Sequence, residues 1–357
     1  MPTHPIHHAT PTTPPSEGTV VLSLQRRVIS AALLVPALVL PLAACGGGSA
    51  DADATPVVNQ GVYTSKLPLD LPVIVAQDRG YFDDEGITVE TTDIQTGTDM
   101  VTAIISGSID VGNPATPPAI TVLTQQGADV GALAGGPALD FRVLVPADAD
   151  VPSGSMADRL SVLKGTTVSV IGSGTLTDWW FRDALGQAGL SDKDVQIVAA
   201  NNVPSQIAAF QEGKVDAMVA FGTVPGLLGT EGTDYQVLLG IPEGDTGDTY
   251  DGYLQTFTAA SHKWQDDHED AVGKYCAAVA KAVDWLEDDA NHDEAVQAMA
   301  DWTQLDEAKA EALLESTDYE MKLTPKSWAA QGDTVGEASS LDFDKDVNGT
   351  CNDQFSE

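Results

Sequence analysis

The chain reads as an α/β protein of two lobes, each a mostly parallel sheet flanked by helices, with a cleft between them. Three observations predict this. Strand-like and helix-like segments alternate from Val57 to Val130, the pattern of βαβ units. The element Gly107-Ser-Ile-Asp-Val-Gly112 has a counterpart about one lobe later, Gly213-Lys-Val-Asp-Ala217, so one design is used twice. From Asp266 onward the pattern turns helical, with Val272, Cys276, Val279, Val283 and Leu286 on one stripe and acids opposite. Residues 57–142 and 251–357 are expected to form lobe I, and residues 143–250 lobe II.

Residues 1–45 read as a leader. Arg26-Arg27 precede an apolar run from Val28 to Leu42, and small residues follow. Pro36 and Pro41 interrupt the run, which is too short for a comfortable transmembrane helix. Leu42-Ala-Ala-Cys45 resembles the bacterial lipobox, whose Cys is diacylated and becomes the new N-terminus. Two acyl chains would anchor the protein stably to a membrane. The residues around the Arg pair fit twin-arginine export poorly. Residues 1–19, rich in Pro, Thr and His, do not look like an n-region, and Val20 or Val21 is a plausible true start. Residues 46–56 are a small-residue tether.

Lobe I opens with a strand, Val57 to Tyr63, and a loop, Ser65 to Asp70. Pro72 starts a helix that stops at Gly80, and Ile87-Thr-Val-Glu is the second strand. The helix beginning at Thr98-Asp99 closes at Gly107, and Ile109-Asp-Val is a short buried strand. At Gly112-Asn113 the chain leaves the sheet, and Thr116-Pro117 opens the next helix with a hydroxyl cap and Pro at its first position. A strand end feeding a helix start is where open α/β sheets place ligands. The free N–H groups there favour an anion or a polar oxygen.

Asp140 to Pro146 reads as a strand leaving lobe I. Thr166 to Ile171 is a strand of lobe II, followed by the turn Gly172-Ser-Gly-Thr175 and a helix that buries Trp180. Trp179 falls on the other side of that helix, as a cleft wall or a surface residue. Val195 to Ala199 is the next strand, and Asn201-Asn202 caps a helix begun by Pro204. Phe221-Gly222 stands at the mouth of the strand that follows Gly213. Tyr253 to Ala259 is the return toward lobe I. Trp285, Trp302 and Trp328 read as packing residues.

The strand element Gly107-x-Ile109-Asp110-Val111-Gly112 resembles a signature of solute-binding proteins. Pro72-x-x-x-Ala76-x-x-x-Gly80-Tyr81-Phe82-x-x-x-Gly86 is similar to a run near the N-terminus of the nitrate/sulfonate/taurine family of ABC-transporter binding proteins, which also contains thiamine-pyrimidine binders. Gly213-Lys-Val-Asp-Ala217 resembles a further element of that family. The segment Val162-Leu163-Lys-Gly165-Thr166 matches another only in part, since the family has Asp-Leu before and Lys after the Gly. Tyr81 and Phe82 identify the family and read as packing. The resemblance implies a type II periplasmic-binding-protein-like fold. It implies a receptor that captures a small anionic solute and delivers it to an ABC permease and, through it, to ATPase subunits. Its place is outside the cell, lipid-anchored at Cys45 to the outer face of the cytoplasmic membrane, as a monomer.

The formal charge of −36 excludes binding of nucleic acid by bulk charge. Two Arg and one Glu lie in residues 1–45, so the remainder carries about −37. Cys276 and Cys351 are the only cysteines besides Cys45. An even pair in an exported protein suggests one disulfide, with two separate thiols as the alternative. Without that bond the acidic tail from Asp342 would be loose.

No catalytic constellation stands out. The Gly-x-Ser-x-Gly elbow is absent, and Gly172-Ser-Gly174 is not a P-loop. A pyrimidine synthase related to the family uses a Cys-rich motif that has no counterpart here. His262, His268 and His292 lie in acidic, helical surroundings that match no metal site. No metal or cofactor is implied.

The expected ligand-binding residues are Ser65, Lys66, Thr98, Asn113, Thr116, Arg142, Ser173, Thr175, Trp179, Asn202 and Phe221. Each polar one can equally be a helix cap or turn former. Lys66 and Arg142 are the cations near expected strand ends, so one of them would hold an anion. A neutral heterocycle, such as a thiamine-pyrimidine precursor, would instead stack on Trp179 and Phe221. The second alternative is a surface receptor lipoprotein that recognises a protein partner.

Overall fold

Short runs of Val, Ala and Leu form ten strands among the described residues. In chain order they are β1 Val57–Tyr63, β2 Thr88–Ile94, β3 Val111–Gly112, β4 Gly131–Ala134, β5 Arg142–Pro146, β6 Thr167–Val170, β7 Gln196–Ala199, β8 Ala217–Ala220, β9 Tyr235–Gly240 and β10 Thr258–Ala260. The computed structural model describes residues 55–222, 224–336 and 340–355. The leader, Cys45 and nearly all of the tether lie outside them. No helix of the described residues is long and apolar enough to cross a membrane.

The strands make two five-stranded sheets, ordered β2-β1-β3-β10-β4 and β7-β6-β8-β5-β9. β1 pairs in parallel with β2 and β3, and β6 in parallel with β7 and β8. β10 pairs antiparallel with β3 and β4, and β5 antiparallel with β8 and β9. The expected mostly parallel sheets are therefore mixed, with four strands of each running one way and one against them. The reason lies in the connections. β5 and β10 are the strands on which the chain arrives from the other sheet, so neither is preceded by a helical crossover within its own sheet.

β8 shows why both sheets are buried on two faces. Ala217 and Val219 pack in one cluster with Phe141, Trp180 and Phe181, and Met218 and Ala220 in another with Phe210 and Leu228. That is the two-residue period of a strand covered on both sides. The first sheet is built the same way. One face carries the helix Glu269–Glu287, whose stripe Val272, Cys276, Val279, Val283 and Leu286 is buried as expected. The other face carries Met100, Ile104, Ile120, Phe257 and Trp328. Phe82 is buried and stacks on Tyr275 at 5.7 Å, and Tyr81 packs on the same cluster.

Helix boundaries follow local chemistry, with two differences from expectation. Gly107 ends the helix Gly97–Ser106 at φ 71°, a conformation that suits a residue without Cβ. Thr96, not Thr98, caps that helix by accepting from the Asp99 N–H. Thr116 is the first residue of the helix Thr116–Gln126, behind an Ala115 that gives no side-chain cap. Asn202 caps the helix Val203–Gln211 by accepting from the Ser205 N–H at 2.8 Å.

The chain crosses between the sheets twice, and the two crossings run antiparallel. Leu139 donates its N–H to the Tyr253 carbonyl at 2.9 Å, and Gln255 donates to Pro137 at 2.8 Å. A third tie joins the Trp179 indole N–H to the Thr334 carbonyl at 2.9 Å. Cys276 and Cys351 are joined in a disulfide with Cα atoms 5.4 Å apart, which fixes the tail to the helix Glu269–Glu287. Cys351 and Phe355 enter the core of the first sheet there.

Candidate binding cleft

A cavity of about 260 Å³ opens beside the crossing strands. Leu67, Pro68 and Leu69, the loop after β1, form one wall together with Leu313, Ser316, Thr317 and Asp318 at the end of the helix Glu307–Ser316. Phe221, Gly222 and Pro242, which follow β8 and β9, form the opposite wall. Pro137 to Asp140 and Gln255 make the floor from the two crossings. Every element that reaches the cleft does so from a strand end, a helix end or a crossing, where backbone direction changes.

Asp140 is its central ionisable group. Its Oδ2 accepts the Gly222 N–H at 2.6 Å, and its Oδ1 accepts from Gln255 Nε2 at 3.1 Å. Burial pushes the carboxyl up to about 6, against the Gly222 hydrogen bond and the Arg142 charge, while Glu243 adds to the rise. Arg142 itself donates Nε to Glu243 at 2.7 Å and Nη1 to the Asp140 backbone carbonyl at 3.1 Å. Asp318 stands at the rim and is exposed.

Asp70 occupies the corresponding strand mouth of the first sheet. It is fully buried, accepts the Tyr63 N–H at 2.8 Å and receives Asn113 Nδ2 at 3.3 Å. Burial pushes its carboxyl up to about 7, opposed by those two hydrogen bonds. Asn113 is engaged on every side, since Thr258 donates to its Oδ1 at 3.0 Å and the Tyr63 hydroxyl to its carbonyl at 2.7 Å. A smaller cavity beside Asn113, Gly135 and Thr256 shares Leu69 and Pro137 with the main cleft.

Of the expected ligand residues, the structure brings Phe221 to the main cleft and Asn113 to the smaller one. Ser65, Thr98, Ser173 and Asn202 are exposed, and Thr116 is fully buried with its hydroxyl unpartnered. Thr175 donates to the Gly172 carbonyl and meets the Thr177 hydroxyl. Lys66 places its ammonium over the Trp302 ring, 5.2 Å from the centroid. Trp179 is held by Thr334 and packs on Tyr253. His292, Glu311 and Glu315 offer ligand atoms within 4.8 Å of one another, so this histidine, whose sequence surroundings match no metal site, has two acids beside it in the fold.

Asp140 and Asp70 were the functional-looking groups that sequence reasoning missed. A signal for both exists. Each is a single carboxylate embedded in an apolar run, Pro137-Ala-Leu-Asp140-Phe and Leu67-Pro-Leu-Asp70-Leu, with apolar residues directly on both sides.

The profile of the NMT1-like family matches residues 66–300, which hold both crossings and most of the cleft wall. The chain belongs to the NMT1-like family. A Bacillus subtilis (strain 168) protein named for binding aliphatic sulfonates is 27% identical over 300 residues, covering 80% of this chain and 82% of the relative. The crystal structure of the periplasmic aliphatic sulphonate-binding protein of Escherichia coli superposes with a TM-score of 0.64 at 20% identity, over 84% of this chain and 92% of that one. The periplasmic nitrate-binding protein of Synechocystis PCC 6803 gives a TM-score of 0.59 at 16% identity, over 85% of each chain. This relative and these fold neighbours are named as binding proteins and not as enzymes, and the fold is that of periplasmic binding proteins.

Proposed function

We propose that this NMT1-like chain is the solute-capturing receptor of an ABC importer. It takes a small solute into the Asp140 cleft and hands it to a permease that works with ATPase subunits. Anchoring through a lipid on Cys45, outside the cytoplasmic membrane, belongs to the same proposal. One observation carries it: a cavity of about 260 Å³ is walled by both sheets and floored by the two crossings that join them. Bending at such crossings opens and closes a cleft around a solute.

The names of the relatives support a sulfonate- or nitrate-like solute. The lining does not add to that support, because Lys66 lies over Trp302 and Arg142 is paired with Glu243. The heterocycle reading keeps Phe221 at the cleft, but Trp179 is held elsewhere by Thr334 and Tyr253. A defined cavity favours a small solute over a protein partner.

Thermal unfolding of the full chain in mild detergent tests the proposal. The panel holds taurine, alkane- and arylsulfonates, nitrate, bicarbonate, aromatic carboxylates, small amines and a thiamine pyrimidine. A ligand at about a hundred times its Kd adds roughly 2.7 kcal/mol, seen as a rise of several degrees. Silence across the panel, from protein first unfolded and refolded to strip any bound ligand, would count against solute capture.

A further inference from the structure

We infer, resting on the capture reading above, that the solute of the Asp140 cleft carries an ammonium or another cationic hydrogen-bond donor. The cleft wall is poor in donors. Pro68, Pro137 and Pro242 have no N–H to offer. The Gly222 N–H is engaged by Asp140 at 2.6 Å, and the Leu139 N–H by the Tyr253 carbonyl. Gln255 commits both amide hydrogens, to the Ala138 carbonyl at 2.9 Å and to Asp140 at 3.1 Å. Ser316 and Thr317 both turn their hydroxyl hydrogens to the Leu313 carbonyl, at 3.1 Å and 2.8 Å, and present lone pairs outward.

The charged side chains of the wall are all acceptors. Asp140 and Asp318 are carboxylates, and no Lys or Arg side chain is among the described lining residues. Arg142 reaches the Asp140 backbone carbonyl and Glu243, not the Asp140 carboxylate. The Asp140 carboxylate therefore has two neutral hydrogen-bond donors and feels the Arg142 charge only through space, without an ion pair. A half-buried carboxylate in that position gains from a cationic partner, and a sulfonate facing two carboxylates with no Lys or Arg side chain in the wall is repelled. The apolar side chains of Leu67, Leu139, Phe221 and Leu313 leave room for a hydrocarbon body beside the charge.

Matched pairs decide the matter by calorimetric titration of the full chain. n-Butylammonium is compared with butane-1-sulfonate, and taurine with ethanesulfonate, which lacks only the amine. The ammonium-bearing member of each pair is expected to bind at least tenfold tighter. Asp140→Asn keeps an oxygen for the Gly222 N–H and is expected to weaken n-butylammonium roughly ten- to a hundredfold. Asp318→Asn, at the exposed rim, has a smaller effect and serves as a second variant if the first misfolds. Wild-type affinity for n-butylammonium is also expected to fall as pH drops through about 6, where Asp140 takes up a proton in the presence of Arg142, Glu243 and Asp318. Equal or tighter binding of the sulfonates overturns the inference, as does affinity unmoved by both variants. Binding of other panel solutes with neither ammonium overturns it too and leaves solute capture standing. Failure of every solute in both experiments removes the capture reading, and this inference with it.

Discussion

Asp70 shows how a single residue sets a measurable pH response. Its carboxyl titrates near 7 in the fold, against about 3.9 in an unfolded chain. Between those values the folded state holds the proton and the unfolded state has lost it. Stability from this site is therefore present below about 4 and is lost as pH rises toward 7. Asp70→Asn removes the titration while keeping an acceptor for the Tyr63 N–H. The variant should gain on the wild type by up to about 1.4 kcal/mol per pH unit across that window and then hold level. Parallel unfolding curves for the two proteins from pH 4 to 7 would refute this. Asp70 and Asp140 also show what fills two of the strand mouths. There the N–H groups of Tyr63 and Gly222 are taken by internal carboxylates.

At the scale of elements, two close connections carry predictions. The disulfide spans 75 residues and ties the short helix Gly349–Asn352 to the helix Glu269–Glu287. Its removal by Cys276→Ser and Cys351→Ser should lower the unfolding free energy by roughly 2–4 kcal/mol. Chemical denaturation with and without reductant measures it, and an unchanged midpoint would show that other ties hold the tail, such as the Asn352 hydrogen bonds to Leu323 and that of Asn348 to Gln265. Gly135 sits where β4 hands over to the first crossing. A Cβ there would lie 2.0 Å from the Glu320 carbonyl oxygen, which is backbone and cannot swing aside. Gly135→Ala should therefore destabilise the protein by roughly 1–3 kcal/mol or more, through overpacking. A melting temperature equal to wild type would mean that the segment around Glu320 yields freely. Much of this level was legible beforehand. β1 has the bounds that its sequence predicts, and the stripe on Glu269–Glu287 follows directly from a 3.6-residue period. The missed cap at Thr96 is one turn-edge of ambiguity, because Thr96 and Thr98 both precede the same apolar run.

Over the whole molecule, charge dominates. A net formal charge of −36, which already counts the cations of ion pairs such as Arg79–Glu294 and Lys281–Glu85, repels itself across one chain. Raising salt from 20 mM to about 500 mM should raise the melting temperature by several degrees, since screening shortens the reach of that repulsion. A fall in melting temperature would mean that the ion pairs outweigh the net repulsion. The same field should draw a cationic solute toward the cleft faster at low salt, which stopped-flow association at two ionic strengths can read.

Local patterning determined most of the fold. Alternating strand and helix periods, the Gly punctuation at Gly80 and Gly107, and the doubled Gly-x-(Ile/Val)-Asp element specify two α/β halves, because backbone propensity and apolar period act over a few neighbouring residues. The family resemblance could be read from Pro72 to Gly86 for the same reason: those residues build one helix, its stop and a turn. The cleft was decided elsewhere. It is assembled from Leu67 to Leu69, Asp140, Gly222, Gln255 and Leu313 to Asp318, segments up to about 250 positions apart. Whether Lys66 meets a ligand or Trp302, and whether the Gly222 N–H meets an anion or Asp140, depends on which distant groups the two crossings bring within hydrogen-bond reach. A hydrogen bond acts over about 3 Å, so its partners are settled by the packed arrangement of the chain and not by their order along it.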